Sequence, residues 1–173
     1  MNLFTVSTCP VTCARQLPDK LVVKMILETA QLLSTAHHEV MGTTEAYGVP
    51  LYKPTHKNHP CAVWVRASRN NYHWAFDHFV ALCEEYTRRY GKVHATETKL
   101  RRALCSAPDA LMYTGLTTPP ACMPDEYKAQ HEIDAGHWPC ESYRRYLAEG
   151  KSYTVDVAKA WAKADTPPWW AVY

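Results

Sequence analysis

Pro18-Asp19-Lys20-Leu21-Val22-Val23-Lys24-Met25-Ile26-Leu27-Glu28-Thr29-Ala30-Gln31-Leu32-Leu33-Ser34 carries the helical period that decides the fold. Apolar side chains cover most of its circumference, so it reads as a central helix with Asp19 as N-cap. The polar exceptions are ordered. Lys20, Lys24 and Glu28 are four apart and Gln31 follows three later, which places all four on one face of an otherwise buried helix.

Outward from this helix, Leu3-Phe4-Thr5-Val6 reads as a short N-terminal strand, and Pro10 ends any helix before it. Residues 41–60 have loop composition. Pro60 opens a second helical stretch to about Tyr90, with Ser68, Tyr72, Ala75, Phe79, Leu82, Cys83 and Tyr86 as its inward stripe and Gly91 as its stop. A shorter helix, capped by Thr96, is expected from Thr96 to Cys105. Between Ser106 and Pro139 five Pro predict an irregular excursion with one helical turn at Asp125 to Gln130, and long loops in compact domains are often functional. Helices over 140–149, stopped by Gly150, and 153–164, stopped by Thr166-Pro167-Pro168, complete the chain. With no internal repeat, the expectation is a mainly α fold: a single compact helical domain, 1–173, with long Pro-rich loops.

Composition agrees with a globular chain: 47% of the 173 residues are hydrophobic and 21% charged, with 11 Tyr and 6 Trp supplying many flat side chains. No apolar run reaches membrane-spanning length, and Met1-Asn2-Leu3-Phe4 lacks the basic flank of a signal peptide, so a cytoplasmic protein without a membrane partner is expected. Seven Cys cannot all pair, which favours reduced thiols. Cys9-x-x-x-Cys13 and His56-x-x-His59-x-Cys61 have ligand types, but neither is followed by a matched second pair, so no metal is expected. The chain has no Gly-rich phosphate loop, no Gly-x-Ser-x-Gly and no dinucleotide fingerprint, and so no cofactor is expected. A net charge of +2 does not announce nucleic acid, although Arg66, Arg69, Arg88, Arg89, Lys92, Lys99, Arg101 and Arg102 crowd the middle third.

Four constellations carry potential chemistry. The stripe Lys20, Lys24, Glu28, Gln31 pairs amines with a carboxylate, which suits proton exchange in a dry site and equally suits a structural ion-pair stripe. Pro54-Thr55-His56-Lys57-Asn58-His59-Pro60-Cys61, followed by Trp64, Arg66, Asn70, Asn71 and Trp74, puts cations in a loop feeding a helix, an anion-binding arrangement unless His59 serves only as a cap. Glu84-Glu85-Tyr86-Thr87-Arg88-Arg89-Tyr90-Gly91-Lys92 alternates charge and Tyr too densely for a plain amphipathic helix, so Arg89 and Lys92 join Asn71 as phosphate-facing candidates. The aromatics Trp169 and Trp170, with Tyr127, Tyr143, Tyr146 and Trp161, either build core or receive a base by stacking.

Asp19-Lys20, Val23-Lys24-Met25, Glu28-Thr29-Ala30-Gln31-Leu32-Leu33, Pro54-Thr55-His56, Asn58-His59-Pro60-Cys61, Trp64, Arg66 and Glu85-Tyr86-Thr87-x-Arg89-Tyr90-Gly91-Lys92 together resemble a family of phage proteins of thymidine hypermodification, the amino acid:DNA transferases. This resemblance runs from about residue 3 to residue 170. It implies an enzyme in the cytoplasm of a phage-infected bacterium that joins a free amino acid, through its amine, to pyrophosphorylated 5-hydroxymethyluracil in DNA. Under it, Glu28 is the base; Lys20, Lys24, His56, His59 and Arg66 face the phosphates; and Trp64, Trp74 or Trp169 packs the pyrimidine.

A second resemblance, to phage pyrimidine-dimer glycosylases of the endonuclease V type, rests on Leu17-x-Asp19 leading into the helix that bears Glu28 and on the aromatic tail. It implies an amine attack on the sugar assisted by Glu28. That family uses a freed N-terminal amine, whereas Met1 before the bulky Asn2 is expected to be retained here, so Lys20 or Lys24 would take the amine's place. A third possibility is a module without enzymatic activity that binds DNA or a host protein.

Overall fold

The fold was analysed in a computed structural model that describes residues 1–151 and 156–173. The predicted central helix is α2, Asp19–Met41, which packs along α4, Arg69–Tyr90. Leu21, Val22, Met25, Ile26, Leu32 and Leu33 of α2 are fully buried, as are Tyr72, Ala75, Phe79 and Leu82 of α4. The apolar periodicity of both helices is thus satisfied by one shared core. α2 begins one residue earlier than a capping Asp19 would require. Pro18 is the N-cap, and Asp19 is the first helical residue, its carboxylate turned into an ion pair.

α1, Pro10–Arg15, lies across α4: Trp74 Nε1–H donates to Thr8 O at 2.7 Å, and His78 Nδ1 lies 3.2 Å from Pro10 O. The stretch predicted as one helix to Tyr90 is two, α3, Pro60–Val65, and α4. Ser68, expected on the inward stripe, is instead the cap of α4 at φ −152°, its hydroxyl accepting from Asn71 N–H at 3.1 Å. α5, Ala95–Leu100, is capped by His94 rather than Thr96 and stops at Leu100 instead of reaching Cys105.

Leu3 to Val6 are buried but have no strand partner, so no N-terminal strand forms. The only strands among the described residues are β1, Glu45–Ala46, and β2, Val49–Pro50, inside the stretch read as loop. Tyr47 and Gly48, both at positive φ, close that hairpin.

The Pro-rich excursion holds a 3-10 turn, Asp125–Tyr127, and α6, Gln130–Asp134, where one turn was expected. The rest of it hangs on the first residues of α4. Ser68 Oγ donates to Gly115 O, Arg69 donates to Leu111 O, Pro108 O and Asp109 O, and Asn70 Oδ1 accepts from Gly115 N–H. Asn71 donates to Thr117 Oγ1 and accepts from Thr117 N–H.

α7, Cys140–Glu149, has the predicted bounds, and the Glu132 carboxylate caps it by accepting from Glu141 N–H, Ser142 N–H and Ser142 Oγ–H. α8, Val157–Ala160, ends before the predicted residue 164, and the predicted start at 153 lies outside the described residues. A 3-10 turn, Pro168–Val172, closes the chain. Among the described residues no helix is long and apolar enough to cross a membrane.

Candidate active site

The polar stripe of α2 and the His-containing loop, separate in sequence, meet in space at the first residue of the chain.

The Met1 α-amino group lies 3.6 Å from Glu28 Oε2, and Lys24 Nζ lies 3.2 Å from Glu28 Oε1. The Met1 side chain is 2% exposed and that of Glu28 14%, whereas Lys24 is 59% exposed, so the first two groups are held by packing and the third reaches in from solvent. Lys20 is exposed and Gln31 half-buried on the same face of α2.

The loop before α3 is bound to α2 by Thr55 N–H donating to Thr35 Oγ1, by His38 Nε2 at 3.0 Å from Tyr52 O, and by the Lys57–Glu39 ion pair at 3.7 Å. Arg66 Nη1 donates to Lys57 O at 2.6 Å, so this cation spends a donor on shaping the loop. His56 takes a positive φ of 47°, with Nδ1 at 2.7 Å from Thr55 Oγ1. His59 caps α3, Nδ1 accepting from Cys61 N–H at 3.2 Å. Burial lowers the His59 pKa, and the positive charges of the Met1 amine and His56 lower it further while Glu28 opposes them. His59 is therefore electrostatically part of the Met1–Glu28 site.

Asn2 fixes the chain beside Met1. Its Oδ1 accepts from Leu3 N–H and from Tyr143 Oη–H at 2.7 Å, and its Nδ2 donates to Cys122 O at 2.8 Å. Asn2 was not a candidate in the sequence reading and Tyr143 was one only as a core or stacking aromatic, because their meeting spans almost the whole chain.

Other candidates lie elsewhere. Asn71 is fully buried and donates to Trp64 O as well as to Thr117. Arg89, its side chain 0% exposed, is bound to Asp19, Glu85, Leu17 O and Arg15 O, so burial withdraws both Asn71 and Arg89 from any phosphate. Lys92 is exposed just past the end of α4. Trp64 and Trp74 stack edge-on at 5.9 Å, with their N–H groups given to Thr117 O and Thr8 O, and Trp169 donates to Gln16 Oε1. All three indoles are less than a tenth exposed, so their rings are core rather than an open platform for a base.

The Met1–Glu28 pair offers a primary amine next to a proton acceptor at the edge of the core, which is the requirement of nucleophilic attack with general-base assistance. Neither a curated protein nor a solved structure matches the chain. The matched family agrees with the second of the two resemblances, and no match supports the amino acid:DNA transferases or a free amino acid as co-substrate. Residues 1–98 of the 173, which include Met1, Lys24, Glu28 and the loop to His59, match the family described as pyrimidine dimer DNA glycosylase, and the chain belongs to that family.

Proposed function

We propose that the protein is a pyrimidine-specific DNA glycosylase with an associated lyase step, in which the Met1 amine is the nucleophile and Glu28 its proton acceptor. The observation that carries this reading is the 3.6 Å approach of the Met1 amine to Glu28 within the family-matched region. A retained Met1 is no obstacle, since it too bears a primary amine, and Lys24 need not replace it.

In the proposed reaction the neutral amine attacks C1′ of the damaged nucleotide. The N–C1′ bond forms as the C1′–base bond breaks, and the departing pyrimidine keeps the electron pair and takes up one proton. Opening of the sugar at O4′ gives an imine, and removal of a C2′ proton by Glu28 expels the 3′ phosphate by β-elimination. Lys24 and Lys57 supply positive charge for the flanking phosphates, and the His56 and His59 rings offer hydrogen-bonding nitrogens in the same loop.

The experiment is borohydride trapping on duplex DNA containing a thymine dimer, with the adduct located by peptide mass spectrometry. An adduct on the Met1 amine, lost when residues are added ahead of Met1, is the expected result. An adduct on Lys24 overturns the assignment of the nucleophile. A folded protein that neither cleaves nor forms an adduct overturns the glycosylase reading.

A further inference from the structure

The second cysteine that the loop motif lacks in sequence is supplied by the fold. Cys122, from the Pro-rich excursion, comes to 3.7 Å from Cys61 at the start of α3, sulfur to sulfur. A ring nitrogen of His59 completes a group whose ligand atoms all lie within 4.8 Å of one another. We propose that His59, Cys61 and Cys122 form a binding site for a thiophilic divalent cation, zinc being the representative ion.

The geometry and the donor set both fit. Two thiolates about 2.3 Å from a tetrahedral zinc stand about 3.8 Å apart, close to the spacing found here, whereas a disulfide needs about 2.05 Å. Two sulfurs and an imidazole are a borderline-soft set of the kind zinc prefers. The cap bond from Cys61 N–H selects the His59 tautomer with its lone pair on Nδ1, the form that can coordinate, and the metal would take the place of that long 3.2 Å contact.

Cys122 is preset for the role by its backbone. Its N–H donates to Tyr143 Oη at 3.1 Å and its carbonyl accepts from Asn2 Nδ2 at 2.8 Å. Asn2 Oδ1 already accepts from Leu3 N–H and Tyr143 Oη–H, so the fourth position falls to water. Binding balances as one cation taken up and two thiol protons released. The bound ion and two thiolates sum to zero charge, which suits a partly buried place. The ion would tie the excursion to α3 beside Met1, and this proposal does not depend on the glycosylase reading.

The test is titration of reduced, metal-free protein with Co²⁺, followed by displacement with Zn²⁺. One equivalent is expected, with a thiolate-to-cobalt charge-transfer band and a rise in Tm on adding Zn²⁺. Cys61→Ser and Cys122→Ser should each remove the band, while the Cys9→Ser/Cys105→Ser double variant, altering the two exposed thiols, should keep it. His59→Ala should weaken binding at least about tenfold. Circular dichroism of the metal-free Cys122→Ser protein separates loss of a ligand from loss of fold. No uptake by the wild type, or an unchanged band in Cys122→Ser, overturns the proposal. So does loss of two thiols to mild oxidation with no cobalt uptake, which would make the pair a disulfide-forming contact.

Discussion

The Met1 amine and the Glu28 carboxylate stand 3.6 Å apart, and Lys24 approaches the other Glu28 oxygen at 3.2 Å. One acceptor thus serves two amines, of which only the first is held by a buried side chain. Glu28→Gln keeps the shape of the side chain and removes the proton acceptor. Its strand-cleavage rate should fall about 100- to 10,000-fold with the circular dichroism unchanged. A folded Glu28→Gln protein with the wild-type single-turnover rate would remove Glu28 from the chemistry.

Arg89 was a phosphate candidate in sequence, and its burial makes the opposite prediction. Its Nη1 donates to Asp19 at 2.9 Å and its Nε to Glu85 at 2.6 Å, with further bonds to Leu17 O and Arg15 O. Hydrogen bonds to Arg88 and Arg89 hold the Glu85 carboxyl below its usual range against the desolvation that would raise it. Arg89→Met leaves two carboxylates buried beside each other and should cost about 3–5 kcal/mol in urea unfolding. Lys92→Ala, at an exposed site, should stay within about 0.5 kcal/mol.

The contrast between Arg89 and Glu28 marks what the sequence could tell. Periodicity made α2 and α4 legible, because burying an apolar stripe repeats every few residues, and it put Lys24 and Glu28 on one face. It could not say that Met1 sits at that face or that Cys122 meets Cys61, since both contacts are made by loops whose paths have no period. Charge type misled for the same reason. An Arg in a dense run of charges looks the same whether it faces phosphate or, like Arg89, Asp19 across the chain. The break at Ser68 was hidden because an N-cap Ser and an inward Ser are the same letter, and only the hydroxyl bond to Asn71 separates them.

His78 predicts a pH dependence. It is fully buried against Trp74 at 5.3 Å, Nδ1 faces Pro10 O, and Nε2 has no hydrogen-bond partner among the described residues. Burial lowers its pKa to about 4. The unfolded chain, with His near 6.5, therefore binds the proton more readily, and this contribution is fully present above pH 6.5 and lost as pH falls toward 4. The loss amounts to about 3 kcal/mol. Urea midpoints measured from pH 7 to pH 4 should fall less steeply for His78→Phe than for the wild type. Parallel slopes would mean that His78 is protonated without unfolding.

The last prediction concerns the clamp that carries the excursion to the site. Asn71 donates Nδ2–H to Trp64 O and Thr117 Oγ1, both at 2.9 Å, and its Oδ1 accepts from Thr117 N–H at 3.0 Å. Both amide hydrogens and the amide oxygen are engaged, and the side chain is fully buried. Asn71→Ala strands the Thr117 N–H, while the Trp64 carbonyl keeps its bond from Ala67 N–H, at a cost of about 1–3 kcal/mol. Because α2 and α4 are packed by other residues, the damage should be local: amide exchange at Thr117 and Gly115 should speed up while the α2 amides keep their protection. Uniform acceleration across α2 and α4 would show that the clamp supports the whole fold rather than the excursion alone.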